Sequence, residues 1–176
     1  MAAPGITKPL TIDEYLRSPY RPDVDFVGGY IEERNWGEYN HARLQALLAF
    51  WFGTHEREWN VRVVVEQRVQ VSETSFRIPD VSLLRRELPI EQIIRTAPLV
   101  CIEILSPEDS VHKMRVRFAD YHRMGVENVW LLDPESRAGF ICTPSGISRP
   151  VDGILAVPGT EINIPLMQAF SGLDEM

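Results

Sequence analysis

Long apolar runs and a surplus of basic residues are missing from this sequence of 176 residues, and it has only two cysteines. No segment approaches the roughly 18 consecutive apolar residues of a membrane span, and the first residues lack the charged and then apolar pattern of a secretion signal. The two cysteines, Cys101 and Cys142, each lie in an apolar segment, which favours buried free thiols over a disulfide scaffold or a zinc cluster. We therefore expect a soluble, cytoplasmic protein with no membrane partner.

The charge balance of the chain is acidic. Lysine and arginine together number 18 against 25 aspartates and glutamates, so the net charge is −7. This balance argues against a protein that holds DNA mainly through a broad basic surface. It is compatible with a metal-dependent nuclease, because such a site needs carboxylates and acquires positive charge from its bound cation.

The length of the chain predicts one domain. We place this domain at residues 10–170, between a flexible N-terminus of residues 1–9 and a C-terminal tail of residues 171–176. With 44% hydrophobic and 24% charged residues, the composition is that of an ordinary globular protein.

Local patterns predict both helices and strands. Thr11 and Glu14 have the spacing of a capping box, which predicts a short helix there, and apolar residues at intervals of three and four predict a long helix over residues 38–58. Further helices are predicted over residues 90–96 and from Pro107 to Met124. Strands are predicted over residues 24–27, 30–34, 61–71, 76–84, 99–105 and 129–132, with edge strands over residues 140–143 and 162–164. Together these elements predict a mixed α/β fold, in which helices flank a mixed central sheet.

Two acidic residues fall within predicted strands. Asp80 is expected in the middle of one strand, and Glu103 interrupts the apolar strand that follows. A buried carboxylate is unfavourable without compensation, and two carboxylates on neighbouring strands repel each other. A divalent cation would resolve both problems, since Mg²⁺ accepts hard oxygen ligands and lowers the pKa of a coordinated water. The alternative is that Asp80 caps a turn and Glu103 pairs with an arginine.

Several short motifs follow one another in unbroken order over about residues 10–170. They are Phe26-Val27-Gly28-Gly29-Tyr30-Ile31, His41, Ile78-Pro79-Asp80-Val81, Ile102-Glu103-Ile104-Leu105-Ser106-Pro107, Asp120-Tyr121, Gly125-Val126 and Val129-Trp130-Leu131-Leu132-Asp133-Pro134. With these motifs the chain resembles the Uma-type family of restriction-endonuclease-like proteins. The resemblance implies a restriction-endonuclease-like core and a PD…(D/E)xK active site. It assigns the P-D to Pro79-Asp80 and the second acid to Glu103, and it implies Mg²⁺ or Mn²⁺ as cofactor, no organic cofactor, and DNA as substrate.

One position departs from this motif. The lysine expected two residues after the second acid is replaced by Leu105. The resembling family also has an apolar residue there and often carries a lysine on the next helix, where this chain has Arg117, with Lys113 one turn earlier on the same face. Arginine stays protonated, which suits phosphate binding and not general-base catalysis. Lys113 can replace the missing lysine only if its ammonium reaches the site, and both side chains can instead be solvated surface charges.

Other polar residues are candidates for the same site. Glu38, His41 and Gln45 form one stripe at the start of the long helix, and Glu66 lies in the strand before Asp80. We take His41 as a catalytic candidate that binds phosphate or a water on the metal, and Glu38, Gln45 and Glu66 as accessory candidates. For His41 and Glu66 the alternative is a structural role.

Three hypotheses on function follow from these residues. In the first, the protein is a metal-dependent endonuclease in which Asp80 and Glu103 bind Mg²⁺, while Arg117 and Lys113 offset the charge of the transition state. We expect a homodimer with two-fold symmetry in that case, because cleaving both strands of a duplex generally takes two sites. The alternatives are a catalytically weak or inactive binding module of the same fold, and a structural homo-oligomer whose acids are paired internally.

Overall fold

The computed structural model describes residues 9–21, 23–34 and 37–173. Within these residues, groups of two, five and five strands separate four helices. In chain order they are α1 (Ile12–Arg17), β1 (Asp25–Val27), β2 (Tyr30–Glu32), α2 (Tyr39–His55), β3 (Val61–Val65), β4 (Val69–Ser72), β5 (Ser75–Arg77), β6 (Val81–Arg85), β7 (Val100–Ile104), α3 (Val111–Met124), β8 (Asn128–Asp133), β9 (Ala138–Thr143), β10 (Gly146–Ser148), β11 (Ile154–Ala156), β12 (Asn163–Pro165) and α4 (Leu166–Ser171). Most of the predicted flexible N-terminus and the last three residues of the predicted C-terminal tail lie outside the described residues.

Six strands form the main sheet, in the order β10-β9-β8-β7-β6-β3. β7 and β8 are parallel and are connected through α3, whereas the other neighbouring strands are antiparallel. β9, which was predicted as an edge strand, lies inside this sheet because the hairpin after it adds β10. A second, antiparallel sheet has the order β2-β1-β5-β4, and β11 pairs with β12. The mixed α/β fold with helices flanking a mixed sheet is therefore confirmed.

The main sheet is covered on both faces around β7. Successive residues of a strand point to opposite faces, so that Ile102 packs with Leu44 of α2 while Cys101 packs with Met114 of α3. This double cover explains the nearly continuous apolar sequence of β7. Glu103, two residues after Cys101, lies on the face that α3 covers.

Both cysteines, Cys101 and Cys142, are buried free thiols, as predicted. Burial raises the pKa of both thiols, that of Cys142 to about 12. In the part of the chain that the structure describes, no helix has the length and apolar character needed to cross a lipid bilayer.

Two segments that were predicted as single strands are each divided between the two sheets. Residues 61–71 form β3 and β4, because Glu66 between them adopts a φ of 49°, which lies outside the extended region. Residues 76–84 form β5 and β6, because Pro79 has no amide hydrogen to contribute to a ladder. Asp80 therefore lies at a break, immediately before β6, and the prediction that it stands in the middle of a strand was wrong.

The predicted helix over residues 90–96 is absent, and this segment instead pairs with β4. The amide of Ile94 donates to the carbonyl of Arg68 at 2.9 Å, and the amide of Gln70 donates to the carbonyl of Ile94 at 2.8 Å. These hydrogen bonds to a neighbouring strand outweigh a weak local helix preference.

The helix α3 begins at Val111 and not at Pro107 as predicted. Ser106 and Asp109 close a turn first, since the amide of Asp109 donates to the Ser106 carbonyl and the amide of Ser106 donates to the Asp109 carboxylate, both at 2.9 Å. Ser110 then caps the helix by accepting the amide of Lys113 at 3.2 Å.

Candidate active site

Asp80 is held at the start of β6 by contacts to both of its carboxylate oxygens. Oδ1 accepts a hydrogen bond of 2.6 Å from Nη2 of Arg34, and Oδ2 accepts one of 2.7 Å from the backbone amide of Ile104 on β7. Nε2 of His41, in the first turn of α2, lies 3.3 Å from Oδ2. The side chain is almost completely buried. Burial raises the pKa of Asp80, but the hydrogen bond from His41 and the charge of Arg34 outweigh burial and leave that pKa below its usual value.

Glu103 lies opposite Asp80 on the neighbouring strand. The antiparallel register pairs Val81 of β6 with Ile102 of β7. Asp80 immediately precedes Val81, and Glu103 immediately follows Ile102, so the two acids are neighbours at this end of the two strands. Oε2 of Glu103 accepts a hydrogen bond of 2.9 Å from Nη1 of Arg117.

The second oxygen of the Glu103 carboxylate is held by α3 as well. The hydroxyl of Tyr121 donates to Oε1, and the side chain of Glu103 is 1% exposed. Burial raises the pKa of Glu103 to about 7, because the opposing charge of Arg117 only partly compensates and the charge of Asp80 raises it further. Of the two acids, Glu103 is therefore the one that is less stable as an anion, and it is the one that α3 contacts through Arg117 and Tyr121.

A largely buried ionic network holds Arg117 in place. Nη2 of Arg117 lies 3.2 Å from Oδ2 of Asp25 on β1, which also lies 3.1 Å from Nη1 of Arg77. Arg77 pairs with Asp120 of α3 at 2.7 Å and with Glu32 of β2 at 2.5 Å. Buried charges of this kind are tolerated because each is paired and hydrogen-bonded. The network links the second sheet to α3 and fixes the position of the Arg117 guanidinium beside Glu103.

The accessory candidates on α2 contribute unequally. Nε2 of Gln45 donates to the backbone carbonyl of Asp80 at 3.0 Å and lies 3.3 Å from Oε1 of Glu66. Gln45 thus ties α2 to the break at Asp80 and to Glu66. Glu38 is the N-cap residue of α2 and makes no capping hydrogen bond with its side chain, and it does not line the cavity beside Asp80.

An open cavity of about 650 Å³ lies over these residues. Its walls come from the end of β2, the first turns of α2, the break before β6, the end of β7 and the first turns of α3. The charged side chains that line it include Arg34, His41, Glu66, Asp80, Lys113 and Arg117. Glu103 does not line this cavity and lies beneath the wall that Arg117 forms.

Leu105 and Lys113 are the two positions that bear on the missing lysine of the motif. The side chain of Leu105 is partly buried and packs against the apolar cluster between the main sheet and α3, and it does not line the cavity. Lys113 is exposed and lines the cavity together with Arg117. The chain contains only one other lysine, Lys8, which lies outside the described residues. Lys113 is therefore the lysine that the structure brings to the cavity.

The carboxylate oxygens of Asp80 and Glu103 are the type of ligand that a hard divalent cation prefers. A carboxylate offers about four lone-pair positions, and the described residues direct three donors at Asp80 and two at Glu103. Both carboxylates thus keep free lone pairs. No group of three or more His, Cys, Asp or Glu side chains in the described ranges is arranged to hold a metal. Water and substrate oxygens would therefore complete a coordination shell, as is usual for Mg²⁺.

The model of the Uma2 family, described as "Putative restriction endonuclease", matches residues 12–168. The chain belongs to the Uma2 family. A similar solved structure is a protein from Anabaena variabilis ATCC 29413, described as a putative nuclease belonging to DUF820, with a TM-score of 0.80. The two are 24% identical, the match covers 94% of this chain and 99% of that chain, and it shows the fold alone. No curated protein matches the chain.

Membership of Uma2 confirms the predicted resemblance, but it leaves the role of each residue open. The structure brings Asp80, His41 and Gln45 together at the break before β6, and it places Arg117 on Glu103. The predicted alternative that Glu103 pairs with an arginine describes the observed contact, and that contact does not exclude a role in binding a cation.

Sequence reasoning missed three contributors to this Uma2 site. Arg34 follows the hairpin of β1 and β2 and had no pattern that marked it. Asp25 lies in β1, and no motif in the sequence marked it as part of a site. For Tyr121 a signal existed, because it lies four residues after Arg117 and therefore on the same helix face.

Proposed function

We propose that this protein is an endonuclease that hydrolyses phosphodiester bonds of DNA with the help of Mg²⁺ or Mn²⁺. Family and fold indicate a restriction-endonuclease-like nuclease. The observation that carries the proposal is the pair of buried acids, Asp80 and Glu103, at one end of two neighbouring strands beside an open cavity. The walls of this cavity carry both acidic and basic side chains, and the basic ones include Arg34, Lys113 and Arg117.

The residues of the site have separate roles in this proposal. Asp80 and Glu103 would hold the cation, which supplies Lewis-acid charge at the scissile phosphate when bound. Arg117 keeps the carboxylate of Glu103 in place and adds positive charge close to the reacting phosphate. Lys113, on the open wall of the cavity, reaches toward the phosphate oxygens. His41 orients Asp80 through the contact at Oδ2.

The acidic net charge of the protein limits how DNA can be held. Because the surface has no overall positive field, binding depends on local cations, and the cavity supplies several of them. We also propose that two copies act together as a homodimer, since one cavity cuts one strand. Sedimentation analysis in solution tests the dimer, and fractionation of the producing cells tests the cytoplasmic location.

A nicking assay on supercoiled plasmid tests the proposed activity. We expect wild type to nick plasmid with Mg²⁺ or Mn²⁺ and to stop when EDTA is added. Asp80→Asn and Glu103→Gln should be inactive, whereas Asp13→Asn, at an exposed acid on α1, should behave as wild type. Equal nicking by wild type and Asp80→Asn at matched purity would assign the activity to a contaminant.

A second candidate function is a binding module without catalytic activity. It is favoured by the apolar, partly buried Leu105 at the position of the motif lysine and by the arginines that already pair with both acids. This candidate predicts that wild type binds Mn²⁺ through Asp80 and binds DNA but does not nick plasmid. Calorimetry with Mn²⁺ beside the nicking assay separates the two functions.

A further inference from the structure

The guanidinium of Arg34 covers one of the two carboxylate oxygens of Asp80. Its Nη2 atom lies 2.6 Å from Oδ1, and the side chains of Arg34 and Asp80 are 13% and 3% exposed. An ion pair so far removed from water is stronger than an exposed one, because solvent screens it less. Burial lowers the pKa of Arg34, but the charges of Asp80 and Glu103 raise it more, so the guanidinium stays charged.

The second acid of the site has an arginine of its own. Nη1 of Arg117 lies 2.9 Å from Oε2 of Glu103. Each of the two carboxylates therefore already has a guanidinium partner before any ion or substrate enters. A divalent cation added beside them brings two further positive charges, which the neighbouring arginines oppose.

The two arginines differ in how firmly they are held. Arg117 also pairs with the buried Asp25 at 3.2 Å, so leaving Glu103 would break a second ion pair. For Arg34, Asp80 is the one salt-bridge partner within the described ranges. Arg34 and Arg117 both line the cavity. Arg34 would break one ion pair by turning away from its acid into the cavity, whereas Arg117 would break two, so the movement of Arg34 costs less energy.

Arginine has only one way to make room for a cation. It does not lose its proton at any relevant pH, so it must move and cannot be neutralised in place. A guanidinium released into the cavity carries a fork of donors that matches the oxygens of a phosphodiester, which it binds through two hydrogen bonds.

From these contacts we propose that Arg34 is the resident counterion of Asp80, that a divalent cation displaces it, and that the released guanidinium binds a non-bridging oxygen of the substrate phosphate. This inference rests on the proposed function and deepens it. It makes Arg34 a substrate-binding residue, and it couples the cation to the phosphate. The phosphate compensates the charge that the cation adds, so each strengthens the binding of the other.

Calorimetric titration with Mn²⁺ tests the proposal without measuring activity. Wild type, Arg34→Gln and Asp80→Asn are titrated with Mn²⁺ alone and again with a short phosphorothioate DNA duplex present. Without duplex, Arg34→Gln should bind Mn²⁺ about 10-fold or more tightly than wild type, because the competing charge is gone. The duplex should strengthen Mn²⁺ binding to wild type and should do so much less in Arg34→Gln.

Two further variants control the test. Arg17→Gln removes an exposed arginine on α1 and should match wild type in both titrations. Arg34→Lys keeps the charge without the fork, so its Mn²⁺ affinity without duplex should stay closer to that of wild type, while the effect of the duplex falls. If Arg34→Gln does not fold, as judged by its thermal unfolding, Arg34→Lys tests the coupling.

The outcomes separate this inference from the proposed function. If Asp80→Asn abolishes Mn²⁺ binding while Arg34→Gln binds Mn²⁺ no more tightly than wild type, the displacement of Arg34 is wrong and the metal site stands. If Arg34→Lys retains the full effect of the duplex on Mn²⁺ binding, the displacement of Arg34 is likewise wrong and the metal site stands. If Asp80→Asn binds Mn²⁺ like wild type, or if no variant binds it, both the metal site and the displacement are wrong.

Discussion

Arg117 on α3 donates a hydrogen bond of 2.9 Å from Nη1 to Oε2 of Glu103 on β7. This contact joins the helix that follows β7 to the strand itself, beneath the cavity. The second nitrogen of the same guanidinium contacts Asp25, so one side chain connects α3 to both sheets.

Arg117→Lys should keep or increase nicking activity and at the same time lower stability. Lysine is the residue that the resembling family often carries at this position, and its pKa can fall near other cations. Its single ammonium cannot bridge Asp25 and Glu103 as the fork of arginine does. Plasmid nicking and urea unfolding measure the two effects.

Arg117→Met is the control for that experiment. It leaves Glu103 buried without its cation, which should lower the free energy of unfolding by about 3 kcal/mol or more. If Arg117→Lys is as inactive as Arg117→Met while its fold is intact, the role of position 117 depends on the guanidinium and not on charge alone.

Lys113→Ala should lower the nicking rate by about 100-fold or more if Lys113 supplies the missing lysine of the motif, by comparison with the loss of one charge-stabilising donor in other enzymes. Stability should hardly change, because Lys113 is exposed. Arg115→Ala, at an exposed position on the same helix that does not line the cavity, provides the matched control. Equal rates for the two variants would remove Lys113 from the mechanism.

Without divalent cation, the protein should become less stable as the pH rises from about 5 to about 8. The pKa of Glu103 is raised to about 7 in the folded state, above the usual value of a glutamate near 4.3. Between these values the folded state binds more protons than the unfolded state, so the free energy of unfolding falls with rising pH. His41, whose pKa is also raised in the fold, acts in the same direction at the upper end of the range.

Thermal unfolding in EDTA over a pH series measures this effect. Glu103→Gln removes the titrating group and should flatten the pH dependence over the lower part of the range. An unchanged slope in that variant would mean that Glu103 titrates near its usual pKa.

Glu66→Gly should reduce activity without reducing stability. Glu66 has a φ of 49°, a conformation that costs about 1 kcal/mol for a residue with a side chain and that glycine adopts freely. Removing the carboxylate also removes the contact with Gln45, which orients the backbone at Asp80. Nicking should fall, while the free energy of unfolding should stay level or rise by up to about 1 kcal/mol.

Asn60→Gly is the control for this change, because Asn60 has a similar φ of 53° and does not line the cavity. It should leave nicking unchanged. A Glu66→Gly variant that is fully active would show that the strained conformation at position 66 serves the fold alone.

The amino-acid sequence by itself determined the fold class, the two buried thiols, the long helix α2 and the apolar strand β7. These features depend on local periodicity and on runs of apolar residues, which a single sequence records directly. The order of the motifs also identified the family. Within the site, the sequence singled out Asp80 and Glu103, because an acid inside a predicted strand is conspicuous.

Only the tertiary structure decided which residues surround those acids. Arg34, Asp25 and Tyr121 lie far from Asp80 or Glu103 along the chain, and their contacts arise where the second sheet, α3 and β7 meet. The structure also decided where strands break, as at Pro79, and where α3 begins. These outcomes depend on hydrogen bonds and ion pairs between distant segments, whose strength is set by burial, and burial is a property of the folded molecule and not of any local stretch of sequence.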